Sequence, residues 1–210
     1  MGIDTHKLLQ DAITLFVVIN PFGAIPHYLT LTRGMHKGER LRVARRGCTY
    51  AAVVLLIFIA IGELALDGLN VHLDSFRIAG GLLLLLISFK TVLATSTVHP
   101  LAETAAGEKA DVAIFPLAMP FLAGPGSIIA AVLLTEDDMF SLVEQAVTSA
   151  IAVGLCLLTY VILASADVLQ RYLGTTGTSI MSRIFGLVLA ALAMQTMLDG
   201  LRPYFKSLLH

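Results

Sequence analysis

Asn20-Pro21-Phe22-Gly23-Ala24-Ile25-Pro26 decides how this chain folds, because it interrupts an apolar run otherwise long enough to cross a bilayer. Residues 12–32 hold no Asp, Glu, Lys or Arg. A helix that spans the hydrocarbon needs about 20 predominantly apolar residues. A proline inside it removes a backbone donor, clashes with the preceding turn and frees backbone groups where no water reaches them. Such a break is tolerable only where protein or a wet cavity satisfies those groups. A second break, Pro120-Phe121-Leu122-Ala123-Gly124-Pro125-Gly126-Ser127, lies in another uncharged run, residues 112–135. Paired breaks at matching places in two halves are the sequence mark of a transport site.

Composition fixes the solvent. The chain has 210 residues, 57% of them hydrophobic and only 14% charged, with a mean hydropathy of +0.84. A soluble domain carries about 25% charged residues, so lipid rather than water faces most of this surface. A net charge of −1 gives no argument for nucleic acid. Cys48 and Cys156 lie in or beside apolar segments without metal-ligand spacing and read as small core residues. The N-terminus lacks the basic region and cleavage site of a signal peptide. No Ser/His pair at helical spacing, His-Glu-x-x-His motif or pair of aspartates in neighbouring spans points to an intramembrane enzyme.

Four further stretches are nearly free of charge: residues 47–62, 78–102 (Lys90 alone), 145–166 and 184–198. The expected fold is an all-α polytopic membrane protein with six transmembrane helices, at about 9–32, 47–66, 77–97, 112–135, 145–167 and 181–200. No ten-residue alternation of apolar and polar positions supports a barrel. The loop after helix 1 carries Arg33, Lys37, Arg40, Arg42, Arg45 and Arg46, and Lys90, Lys109, Arg171 and Arg183 fall on the same side. Lys7, Arg77, Arg202 and Lys206 fall on the other. The positive-inside rule puts the basic loop in the cytoplasm and both termini outside.

The halves resemble each other. Arg77-Ile78-Ala79-Gly80 recurs as Arg183-Ile184-Phe185-Gly186, an offset of 106 residues. Pro21 matches Pro125 and Glu63 matches Asp167 at an offset of 104. Residues 1–102 and 103–210 then form two three-helix repeats. The odd number of helices makes the second copy enter from the opposite face, so the repeat is inverted, with helices 1 and 4 broken near the midplane.

These motifs carry a family resemblance over about residues 8–201. Asn-Pro-Phe-Gly-x-x-Pro in helix 1, Phe-Arg-Ile-Ala-Gly-Gly in helix 3, Pro-Leu-Ala-x-Pro-x-x-Ala-Gly-Pro-Gly in helix 4 and Arg-Ile-x-Gly-Leu in helix 6 resemble the MarC family. The resemblance implies a six-helix protein of the bacterial inner membrane. Through relatives described as carriers of alanine and glycine, it also implies a small neutral amino acid as solute.

The candidate substrate-binding residues are Asn20, Pro21, Gly23, Gly124, Pro125, Gly126 and Ser127. A helix restarting after each proline points its amide end at the bilayer interior, where a carboxylate fits. Asn20 is placed to cap its helix or to meet an ammonium group, and Ser127 to cap the other. The alternative is a pair of kinks used only for packing, in a non-transporting scaffold or stress-associated accessory protein. Arg77, Arg183, Gln195 and Asp199 are candidate gating or coupling residues, Gln195 as a polar residue facing a central cavity. Against this stand interfacial anchoring for the arginines and interhelical hydrogen bonding for Gln195. Glu63 and Asp167 read as interfacial, Lys90 as a helix-end residue and His27 as a wall-lining or interfacial residue. No cofactor or metal is implied; coupling to protons or sodium stays open. The expected partners are the bilayer and a small solute, and small-xxx-small spacing in helices 3 and 6 permits homo-oligomers.

Overall fold

The computed structural model of the chain describes residues 5–93, 117–118, 122–135 and 142–208. All regular structure among them is helical. The first span, His6–Leu31, consists of α1 (Thr5–Ile19) and α2 (Pro21–Leu31). Then come α3 (Lys37–Gly68), α4 (Leu73–Leu93), the short α5 (Pro125–Leu134), α6 (Leu142–Ala164) and α7 (Ala166–Leu208). Among the described residues five helical spans, His6–Leu31 included, are long and apolar enough to cross a membrane, and α5 is a shorter apolar helix of ten residues. Only 22% of the most apolar windows of α3, α4 and α7 is buried. Leu64, Leu86 and Leu187 stand exposed along these helices and Leu157 along α6, as expected where hydrocarbon is the solvent.

Two helices outrun their expected bounds. The arginines after helix 1 were expected in a loop, yet α3 begins at Lys37 and takes in Arg40, Arg42, Arg45 and Arg46. Gly34 (φ 84°) makes the reversal after α2. The backbone N–H of His36 donates to the Glu39 carboxylate at 3.1 Å, which fixes the start. Lys, Arg and Glu are good helix formers, and 32 residues make a rod about 48 Å long. That exceeds the roughly 30 Å of hydrocarbon, so the basic turns project beyond it. α7 likewise extends past 181–200, with a kink at Gly174 (φ 66°, ψ 178°), a conformation essentially reserved for glycine.

Packing pairs α3 with α6 and α4 with α7, while α1 lies against both α5 and α6. The α4–α7 seam is antiparallel and built on glycine. A Cβ on Gly81 would press on Met197 Cγ and sit 2.8 Å from the Ala193 carbonyl oxygen. On Gly186 it would lie 2.8 Å from Val92 Cγ2, and on Gly200 2.7 Å from the Asp74 carbonyl oxygen. Backbones approach this closely only where side chains are missing. α5 is enclosed in the same way: Gly62 of α3 lies against Val132, and Gly80 of α4 against Ile129.

Candidate functional site

The chain breaks where the prolines stand. Asn20 adopts a left-handed conformation (φ 48°, ψ 64°), and α2 starts at Pro21, whose missing N–H costs nothing at a first helical position. Asn20 caps the new helix, its Oδ1 accepting from the Gly23 N–H at 3.1 Å. A Cβ on Gly23 would fall 2.5 Å from Asn20 Nδ2, so the cap needs glycine there. The second break is built differently. Ala123 N–H donates to the Ala118 carbonyl, five residues back, at 2.8 Å. This is the wide turn that often marks functional sites. Gly124, extended and without a side chain, precedes Pro125 at the start of α5. Ser127 was expected as a possible cap; instead its hydroxyl donates to the Leu122 carbonyl at 2.9 Å and ties the two sides of the break together.

The two breaks are close. Gly126 is buried against Leu84 of α4 and Val18 of α1, the residue two before Asn20. From there α2 runs to Tyr28, whose hydroxyl donates to the Arg40 carbonyl at the basic end of α3. α5 runs the opposite way, to Val132 beside Gly62 near the other end of α3. Pro21, Gly124, Gly126 and Ser127 are buried, Asn20 and Gly23 half-buried, and Pro125 exposed. Phe185 of α7 braces the first break: it stacks on Phe22 (centroids 5.5 Å apart) and meets Phe16 edge-on (5.6 Å).

The candidate gating residues do not converge on the breaks. Arg77 pairs with Asp74 on its own helix at 3.3 Å, both half-buried. Arg183 is exposed. Gln195 is exposed as well, so it does not face a central cavity; its amide donates to Asp199 at 3.1 and 3.2 Å. In an apolar run every face looks alike in sequence, and here the inward face of α7 is the glycine seam. Lys90 is exposed in the last described turn of α4. Glu63 lines a recess at the α3–α4 turn with Asp67, Asn70 and His72.

Two features escaped sequence reasoning. Arg40 Nη2 meets Asp167 Oδ1 at 2.9 Å, joining α3 to the start of α7. Its Nε donates to Thr32 Oγ1 at 3.2 Å and its guanidinium lies 5.7 Å from the Tyr28 ring centroid. No local pattern links residues so far apart in sequence. Asp11, just outside the uncharged run of helix 1, is buried at 6% exposure and held by a polar or charged partner. Its signal was available: an acid within a membrane helix is a functional candidate by default.

Apolar helices exposed to lipid, with broken segments buried among them, define a multi-pass α-helical integral membrane protein. The description "MarC family integral membrane protein" matches residues 5–205, and the chain belongs to the MarC family. It is similar to a UPF0056 membrane protein of Methanocaldococcus jannaschii (39% identical over 90% of this chain and 93% of the relative). It is also similar to a UPF0056 membrane protein of Aquifex aeolicus (32%; 92% of each chain) and to the UPF0056 membrane protein YvbG of Bacillus subtilis (30%; 92% and 93%). No solved structure matches it.

Proposed function

We propose that this protein is a secondary transporter of small neutral solutes, amino acids foremost, in the inner membrane with both termini outside. Two inverted three-helix repeats would move against each other around the paired breaks. One observation carries the reading: α2 and α5 both restart on a proline at matching repeat positions, then run in opposite directions from neighbouring starts. Each ends on a threonine, Thr32 and Thr135. The packing supports it too, since α3 lies along α6 and α4 along α7, each against its counterpart in the other half.

In this reading the N–H groups of Gly126 and Ser127 hold the solute carboxylate at the positive end of α5. Asn20 is the polar group facing it. Neither half carries out a covalent step. Because most of the site is buried, admission requires the halves to part, and the Arg40–Asp167 pair closes the basic end. Asp11 is a stronger coupling candidate than the exposed charges, being buried within a span. The packing-only alternative also has an observation in its favour, the filling of the space over Gly126 by Leu84 and Val18.

Thermal unfolding of the purified protein against single amino acids separates the two. A specific ligand at 100 times its Kd stabilises by about 2.7 kcal/mol. The transporter reading expects a small neutral amino acid to raise Tm and to be taken up by proteoliposomes, with uptake lowered by Asn20→Gly. If no amino acid shifts Tm or enters the vesicles, the reading fails.

A further inference from the structure

We propose that the exposed face of α7 centred on Gln195 is the contact through which two copies of this chain pair in the membrane. The spanning part of α7 is Thr176–Lys206, so Gln195 lies about 6 Å from its middle. The seam agrees: Ala193 and Met197 flank the level of Gly81, near the middle of α4. Gln195 therefore stands at hydrocarbon depth and is exposed. At about 100° per residue, it points away from the side carrying Gly186, Ala193, Met197 and Gly200, which packs on α4. Ile184, Val188, Ala191 and Leu198 share its outward face, all exposed.

A polar side chain is costly against lipid. The Gln195 Nε2 is occupied by Asp199, and Asp199 also meets Arg202 at 3.7 Å. No described residue donates to the Gln195 amide oxygen. The stripe is thus an amide with a spare acceptor, then an acid, then a base, one turn apart on one outward-facing strip. That order is complementary to itself. A two-fold axis along the membrane normal sets two α7 helices side by side at equal depth. Each Gln195 oxygen then accepts from the second N–H of the other copy's Nε2, the first staying on its own Asp199, and each Asp199 faces the other's Arg202. Ala191, one turn toward the helix middle, lets the backbones approach. A partner of unrelated sequence would have to supply the same three groups in the same register, whereas a second copy has them already.

The full chain, reconstituted in bilayers at low density and labelled one dye per copy, reports its state by photobleaching steps. Two-step bleaching is expected, persisting on dilution. Gln195→Leu should raise the dimer dissociation constant about tenfold, the scale of one to two intramembrane hydrogen bonds; Gln195→Asn, which keeps the amide, should raise it less. Ala191→Cys, with Cys48 and Cys156 replaced by alanine, should cross-link copy to copy under mild oxidation. These exposed positions touch no seam, so a loss of pairing is not a loss of fold; retained helical circular dichroism checks this. Single-step bleaching at every density overturns the proposal. So does a dimer that Gln195→Leu leaves as tight, or one in which Ala191→Cys does not cross-link.

Discussion

Asn20 and Gly23 should behave as one unit. Replacing Asn20 with glycine removes the acceptor of the Gly23 N–H. A buried donor left unmet costs about 1–3 kcal/mol, and half-burial places this one near the lower end. Replacing it with alanine removes the same acceptor and also forces a Cβ-bearing residue without a local hydrogen bond into the left-handed region at φ 48°. That adds about 1–2 kcal/mol. Asn20→Ala should therefore be the more damaging by that amount, although alanine is the better helix former. Gly23→Ala should cost about 1–3 kcal/mol as an overpacked contact, because its Cβ would lie 2.5 Å from Asn20 Nδ2 and 2.8 Å from Cγ. In the Asn20→Gly background that neighbour is gone, and Gly23→Ala should be neutral or stabilising, by up to about 1 kcal/mol of helix propensity. The coupling in this double-mutant cycle is then about 1–3 kcal/mol, well above the additivity error of about 0.3–0.5 kcal/mol. Equilibrium unfolding in mixed micelles measures all four variants. Additive costs, or equal destabilisation by Asn20→Ala and Asn20→Gly, would refute the capped left-handed break.

Two further tests use the same assay. Gly81→Ala should destabilise by about 1–3 kcal/mol, since the Ala193 carbonyl cannot move aside; Gly68→Ala, with nothing within 4 Å, should not, and equal effects would remove the seam argument. Asp167→Asn should cost about 1 kcal/mol, the upper end for a surface ion pair, since the carboxylate is 60% exposed and the guanidinium 20%. Arg40→Ala should cost more, because it also loses the Thr32 hydrogen bond and the contact with Tyr28; identical costs would mean that the ion pair alone matters at that end.

What was legible in the sequence is what local chemistry fixes. Proline suits the first position of a helix, and with Asn20 or Gly124 before it the starts at Pro21 and Pro125 were readable from a few residues, although Pro26 and Pro203 stand inside α2 and α7. Exclusion of charge marked the membrane segments because every residue of a span meets the same solvent. The failures have one cause, that hydropathy reports the solvent and not the backbone. The arginines after residue 36 leave the lipid without leaving the helix, so α3 began ten residues before its expected start near 47. Gln195 was turned inward because polar residues in apolar runs usually are, but an evenly apolar helix has no amphipathic phase to orient it. The inward side of α7 became visible only through the space missing at Gly186 and Gly200. Arg40 with Asp167, and Phe185 with Phe16 and Phe22, are contacts across the chain that no short-range pattern encodes.

The two breaks differ in what their helix starts leave unpaired. At the first, Asn20 spends its side-chain oxygen on its own helix, and Gly23 is fitted to it. At the second, Gly124 contributes no side chain, and Ser127 donates backward to Leu122 rather than accepting from the start of α5. A helix start capped by its own asparagine has one amide fewer to offer; a start preceded by glycine keeps its amides for whatever approaches. Under the proposed function the anionic end of a solute therefore belongs at α5. The amide nitrogen of Asn20, free of the capping role that its oxygen plays, is the group left to reach across. Phe185, wedged against Phe16 and Phe22, holds the first break in shape.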